Sequence, residues 1–362
     1  MQNERKQSLD IIRIVAISMV LMIHVTAYMV SYFRADYANE AFVVGNIFNG
    51  LARGGTTLFL MLTGALLLNE DRKEKAFEFY LRKLLPLLLL LNFWLLFYSA
   101  WRGILKPLLE QKPIDTELFV DYLLWQKGRG PRFNHLWYLF MVIGAYVMIP
   151  VLRLFVKKEN KNYILGIIIF CVIVQFAAKT ADVFTVGAEH TVAEYLSRFH
   201  LEYATGYFPY LLIGWYLSTF KPNTVMRIIL IVLGLAALLV MILAVQFKIE
   251  SISAIRDYVV EMNTLPAMIY GVGLFTLFDW IGAERATRSK FTTLLSKLSF
   301  GVYVTHVVFL DILVTFILPY NVFNEQHAFL YVIVVFLIDF IVSYLFTFAL
   351  SLIKGVRKIV KA

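Results

Sequence analysis

An apolar stretch near the N-terminus, SLDIIRIVAISMVLMIH, carries three ionisable residues: Asp10, Arg13 and His24. Charged or titratable side chains inside a hydrocarbon layer are costly, so they mark a functional site by default. Arg13 and His24 are eleven residues apart. At about 100° per residue a helix turns through about three turns plus roughly 20° over that distance, so both side chains lie on one face, with a rise of about 16 Å between them. Asp10 sits one turn before Arg13 and is placed to pair with it. Together they make a polar stripe running inward from one membrane surface. The competing reading is structural: His24 packed between helices against a backbone carbonyl, and Arg13 snorkelling to the interface. The shared face favours the functional reading.

Other polar groups interrupt later apolar runs. His135 opens the segment HLWYL and is followed by Trp137 and Tyr138. These make either an interfacial aromatic belt or a surface on which a sugar ring stacks. His306 lies about mid-depth in another run with Tyr303 one turn before it. It is either a second polar wall of the His24 cavity or one end of a helix–helix hydrogen bond. Asp311 and Asp339 are further intramembrane acids, whereas His190, His200 and His327 fall in or beside outer loops. No metal site is expected. The single cysteine, Cys171, can form neither an intrachain disulfide nor a Cys-based metal site. HExxH, Walker A and dinucleotide fingerprints are absent, and the GRG at 128–130 has no strand before it.

The elements that position these residues are membrane-spanning helices. Of 362 residues, 60% are hydrophobic and 16% charged, against about 25% charged in a typical soluble domain. Mean hydropathy is +0.72. Apolar runs of spanning length recur at 9–33, 43–68, 81–101, 135–155, 163–179, 203–219, 226–247, 259–281, 294–318 and 328–353. The expected fold class is therefore an all-α membrane bundle of about ten transmembrane helices. The first run is too long for a signal-peptide core, and no small-residue cleavage site follows it.

Loop charge tests the count. One set of alternate loops carries Arg5 and Lys6, then Arg72, Lys73, Lys75, Arg82 and Lys83, then Arg153, Lys157, Lys158 and Lys161, then Lys221 and Arg227, then Arg285, Arg288, Lys290 and Lys297, and finally Lys354, Arg357, Lys358 and Lys361. The other set is poor in Lys and Arg, apart from the long segment 102–134 and scattered residues such as Arg34, Lys248 and Arg256. By the positive-inside rule the first set is cytoplasmic, which puts both termini inside and requires an even number of spans. The net charge of +9 follows from these short topogenic runs, so nucleic acid is not expected as a partner. The segment 102–134 reads as an outer loop with a short helix, DTELFVDYLLWQ, and a flexible stretch, KGRGPRFN. No separate soluble domain is left over: residues 1–362 read as one transmembrane domain, without internal repeats.

Five segments, in order, resemble the acyltransferase-3 family of bacterial multi-pass membrane proteins. LDIIRIVAISMVLMIH is similar to the family's first helix, with its Arg-ten-residues-His spacing at Arg13 and His24. TTLFLMLTGALLL (56–68) resembles the family's second-helix FFxxSG segment, with Thr63 in place of Ser. FYLRKLLPLLL (79–89) resembles its basic-pair-then-Pro motif, with Lys83 in place of Arg. HLWYL (135–139) and LSFGVYVTH (298–306) resemble its HLWFL and SxGxYxxH segments. Within the family the chain is most similar to single-domain O-acetyltransferases of surface glycans, of the enterobacterial common antigen type.

The resemblance implies transfer of an acyl group, usually acetyl, from cytoplasmic acetyl-CoA to a hydroxyl of a cell-surface or lipid-linked carbohydrate, in the bacterial cytoplasmic membrane. A sugar hydroxyl needs a base before it attacks, and an imidazole titrating near neutrality suits that role. His24 is the candidate, as base or as transient acyl carrier. Acyl-CoA is polyanionic, and Arg13, Arg82 and Lys83 at the cytoplasmic rim are placed to hold its phosphates. For Arg82 and Lys83 the alternative is topology alone. His135, Trp137, Tyr303 and His306 are candidate contacts for the acceptor. A rival function is a transporter or flippase for a glycan or lipid-linked intermediate. It predicts broken helices in paired halves, and the sequence shows none.

Overall fold

The computed structural model describes residues 7–33, 38–69, 74–123, 135–184, 195, 198–200, 206–247, 261–283, 289–319 and 327–360. Among them there are helices and turns, and no strand. Among the described residues, eight helices are long and apolar enough to cross a membrane. In order they are α1 (Gln7–Tyr32), the pair α2 (Glu40–Ala52) and α3 (Gly54–Leu67), a rod over Ala76–Leu109, α9 (Lys161–Phe184), α11 (Thr224–Gln246), α12 (Leu265–Ala283), α13 (Lys290–Ile312) and α14 (Ala328–Leu352). Two further expected spans are shorter. The one expected at 135–155 is α8, Trp137–Leu152, of 16 residues, and the one expected at 203–219 is α10, Phe208–Thr219, of 12 residues.

Local chemistry sets several boundaries. Asn39, Asn223 and Ser289 cap α2, α11 and α13, their side-chain oxygens accepting from the amides of Ala41, Met226 and Thr292. The rod consists of α4 (Ala76–Phe79), α5 (Leu85–Ala100) and α6 (Lys106–Leu109), joined by π-helical turns at Tyr80–Leu84 and Trp101–Leu105; a third such turn, Leu313–Ile317, extends α13. Each π turn ends two residues before a proline: Pro86, Pro107 or Pro319. Proline has no N–H for the carbonyl four residues back and its ring crowds that carbonyl, so the preceding turn widens. The Gly103 carbonyl, left without Pro107 as donor, accepts instead from Asp115 N–H at 3.0 Å.

The chain forms two compact units. In the first, Met1–Arg72 with Arg153–Ala349, α1 is central and packs against α2, α3, α12 and α13. Glycines allow backbone-close crossings. A Cβ on Gly64 would overlap the Leu211 carbonyl, and one on Gly214 the Met61 carbonyl, so the backbones of α3 and α10 cross at contact distance. Gly273 and Gly234 make the corresponding crossing of α12 and α11, where a Cβ on Gly273 would lie 2.9 Å from Leu230 O. Such small-residue seams are how helices associate where no hydrophobic drive separates helix from lipid. The outward faces of α11 and α14 expose Val225, Ile228, Val232, Leu239, Leu337 and Leu345, as lipid-facing surfaces do.

The second unit comprises Lys73–Leu152 and Leu350–Ala362. Tyr80 Oη donates to Val147 O at 2.9 Å, and Trp94 Nε1 to Ile359 O at 3.2 Å. Here the expectation of a loop from residue 102 is corrected: residues 102–109 continue the rod, because the π turn absorbs Pro107 without ending the helix. The short helix expected next is α7, Thr116–Leu123. It folds back on the rod, with Phe119 against Gly103. The KGRGPRFN stretch lies outside the described residues, as does His190.

Candidate active site

His24 and His306 come together. α1 and α13 run side by side, and the two imidazole centroids are 5.2 Å apart with planes tilted by 48°. His24 is half-buried and His306 fully buried. His306 Nδ1 lies 2.8 Å from Tyr303 O and 3.1 Å from Val302 O. A carbonyl only accepts, so Nδ1 carries the hydrogen and Nε2 is the basic nitrogen of the neutral ring. These two bonds lie within α13 rather than between helices, and the His306 ring lies beside that of His24.

Toward the N-terminal ends of the same helices lies a second polar cluster. Ser296 Oγ donates to Asp10 Oδ1 at 2.7 Å and accepts from Arg13 Nη1 at 3.1 Å. Asp10 and Ser296 are each 1% exposed, whereas Arg13 is half-buried. A hydroxyl from α13, on a residue that the sequence does not mark, thus bonds to both Asp10 and Arg13. The cluster fixes the guanidinium on the His24 face, about 16 Å along α1 from the imidazole.

Depth follows from the antiparallel pairing of α1 with α2 and α3. A Cβ on Gly45 would lie 3.0 Å from Met29 Cβ, and one on Gly55 3.0 Å from Met19 Cβ. The end of α3 therefore lies level with the start of α1. At that end a cavity of about 360 Å³ is lined by Asn69, Arg153, Lys157, Lys158 and Glu159, among others. Arg153 Nε donates to Leu67 O at 2.7 Å, which holds its side chain against the end of α3. Three cations and one carboxylate leave this cavity attractive to phosphate groups. The sequence marks these cations only as topogenic charge.

The other expected residues are placed as follows. Tyr303 is buried, with its ring 6.4 Å from that of His306. Arg82 and Lys83 belong to the second unit, on the π turn before Pro86; both are exposed, and Arg82 pairs with Glu78 at 2.8 Å. His135 and Trp137 are also in that unit. His135 is 2% exposed and packs edge-on against Tyr98 at 4.7 Å, while Trp137 is half-buried at the start of α8. Asp311 and Asp339 are buried, and Ser343 Oγ donates to Asp339 Oδ1 at 3.2 Å. Among the described residues no group of three His, Cys, Asp or Glu side chains is arranged to hold a metal ion.

One intramembrane cation escapes the sequence reading altogether. Arg53 sits at the one-residue turn between α2 and α3, near the middle of the single span Glu40–Leu67 that matches the expected run 43–68. Its Nε donates to Asn49 Oδ1 at 3.1 Å, and Asn49 Nδ2 donates to Thr26 Oγ1 at 3.0 Å on α1. Tyr270 Oη donates to the Leu51 carbonyl in the last turn of α2.

Among curated proteins and among solved structures, none matches the chain. A family profile described as an acyltransferase domain matches residues 6–348, nearly the whole chain. With its run of apolar helices, this makes the chain a multi-pass membrane protein that belongs to the acyltransferase-3 family.

Proposed function

We propose that the protein is a membrane O-acetyltransferase that moves an acetyl group from cytoplasmic acetyl-CoA to a hydroxyl of a cell-surface or lipid-linked carbohydrate. The observation that carries this reading is the His24–His306 pair at 5.2 Å, with the Arg13–Ser296–Asp10 cluster toward the N-terminal end of the same two helices. His24 is half-open and backed by a second imidazole, so a proton taken by one has a neighbouring ring to share it. As the base, His24 accepts the hydroxyl proton while the oxygen bonds to the thioester carbon. The C–S bond then breaks, and the proton leaves with the CoA sulfur. As an acyl carrier, His24 would itself hold the acetyl group between two such steps.

In the first unit, the donor's phosphates would be held by Arg13 and by the Arg153–Lys157–Lys158 cavity, and acceptor contacts fall to Tyr303 and His306. Arg82 and Lys83 for phosphate, and His135 and Trp137 for a sugar, are separate candidates on the second unit, proposed from the family resemblance alone. We further propose ten crossings of a bacterial cytoplasmic membrane with both termini inside. What supports this is the alternation of loop charge and the parallel run of α10 beside α12, with Tyr210 Oη donating to Met262 O near their starts and Lys221 pairing with Asp279 near their ends, which gives the short α10 the direction a span requires. Within the family, the single-domain surface-glycan type fits a chain whose helices themselves carry the site. A transporter is not favoured, since the family match is to an acyltransferase domain.

The test is to supply labelled acetyl-CoA and membrane glycan acceptors to the purified protein in liposomes. Transfer by the unaltered protein, lost in His24→Ala with CoA binding retained, is the expected result. Normal glycan acetylation in cells carrying only His24→Ala would refute the assigned role. Acceptor uptake without any transfer of label would restore the transporter.

A further inference from the structure

Arg53 occupies a position that topology does not explain. It lies near the middle of the 28-residue span Glu40–Leu67, about 20 Å from either end at about 1.5 Å per residue. Basic residues that orient a helix sit at its ends, and a cation at mid-membrane is costly. The pairing of Gly45 with Met29 and of Gly55 with Met19 puts Arg53 level with about residue 21 of α1. Helical side chains lean toward their own N-terminus. Because the two helices are antiparallel, the Arg53 side chain leans toward the level of His24, and His24 leans back toward the level of Arg53.

The hydrogen bonds around Arg53 agree with this convergence. Arg53 reaches back one turn to Asn49, and Asn49 donates to Ile23 O at 3.4 Å and Thr26 Oγ1 at 3.0 Å, one residue before and two residues after His24 along the chain. Holding α2 against α1 does not require a charge. Asn49 already does so with a neutral amide, and a second amide at 53 would serve at lower cost. Arg53 itself is half-buried rather than sealed in the core.

On the acyltransferase reading above, we infer that Arg53 is a further catalytic residue of the His24 site, whose guanidinium holds the thioester carbonyl oxygen as negative charge develops there. When the acceptor oxygen bonds to the carbonyl carbon, the C=O electron pair moves onto that oxygen. His24 takes the hydroxyl proton. When the carbonyl re-forms, the C–S bond breaks and the electron pair leaves with sulfur. Arg53 and His24 thus divide the work: one stabilises the oxyanion and the other handles the proton. Arg13, about twelve ångströms further toward the N-terminal end of α1 from the Arg53 level, remains with the donor's phosphates.

The experiment compares Arg53→Met and Arg53→Lys with the unaltered protein in liposomes, measuring kcat, the KM for acetyl-CoA and the melting temperature. The expected result is a fall in kcat of about 100-fold or more in Arg53→Met, a KM within threefold, an unchanged melting temperature, and at least tenfold recovery in Arg53→Lys. Equal loss in both variants together with a lowered melting temperature would overturn the inference in favour of a structural tie. A rise in KM alone would overturn it in favour of ground-state binding. No transfer by the unaltered protein would instead be failure of the acyltransferase reading, and this is seen before any variant is made.

Discussion

Removing the Ser296 hydroxyl gives a sharp prediction about how Arg13 is held. Ser296→Ala deletes one short bond to the buried Asp10 carboxylate, at 2.7 Å, and one from the Arg13 guanidinium, at 3.1 Å. Hydrogen bonds to charged groups are each worth about 1.5–3 kcal/mol. The Asp10 bond is fully buried at 1% exposure on both sides, so its loss should appear mainly in stability, at about 2 kcal/mol. The Arg13 bond joins a half-exposed cation, so we take its lower end, about 1.5 kcal/mol, as the part felt by a donor that Arg13 binds. That corresponds to about a tenfold rise in the KM for acetyl-CoA, with kcat within about twofold, because the hydroxyl is some 16 Å along the helices from the His24 level. Initial rates across a range of acetyl-CoA concentrations in proteoliposomes measure both constants, and a thermal melt in detergent measures the stability. Ser296→Thr, which keeps the hydroxyl, should behave nearly as the unaltered protein does. An unchanged KM in Ser296→Ala alongside a raised KM in Arg13→Ala would refute the idea that this bridge positions the guanidinium.

Two further outcomes follow from the geometry. His306→Phe keeps a ring beside His24 but removes the second basic nitrogen; kcat should fall about 100-fold with KM unchanged, and an unaltered kcat would confine His306 to packing. Gly214→Ala drives a methyl into the Met61 carbonyl, whereas a methyl at Gly166 meets nothing within 4 Å. The first should lower stability by about 2–3 kcal/mol and the second should leave it equal or raise it by up to about 1 kcal/mol, so equal melting temperatures would contradict the α3–α10 seam.

Much of the architecture was legible from one dimension. Apolar runs and the alternation of Lys and Arg between loops depend only on distance along the chain, which is why α1, α9, α11, α12, α13 and α14 fall near their expected positions. The common face of Arg13 and His24 depends only on helical period, and α1 is an uninterrupted helix across both. What failed were places where backbone and side chain compete locally. The third apolar run ends at residue 101, yet a π turn carries the rod past Pro107 to Leu109. ARGGTT at 52–57 does lie inside the span Glu40–Leu67, but the one-residue turn at Arg53 within it was not legible.

The sequence by itself determined that this is a bundle of apolar helices, which family it resembles, and that Arg13 and His24 share a face. Only the tertiary structure decided their partners: His306 beside His24, Ser296 between Arg13 and Asp10, and Arg53 leaning to the level of His24 through Asn49. Partners on different helices are set by the rotation of each helix about its axis and by the depth at which two helices cross. Those follow from where glycine seams such as Gly64 against Leu211 let the backbones meet, a condition on two surfaces at once that no single stretch of sequence contains.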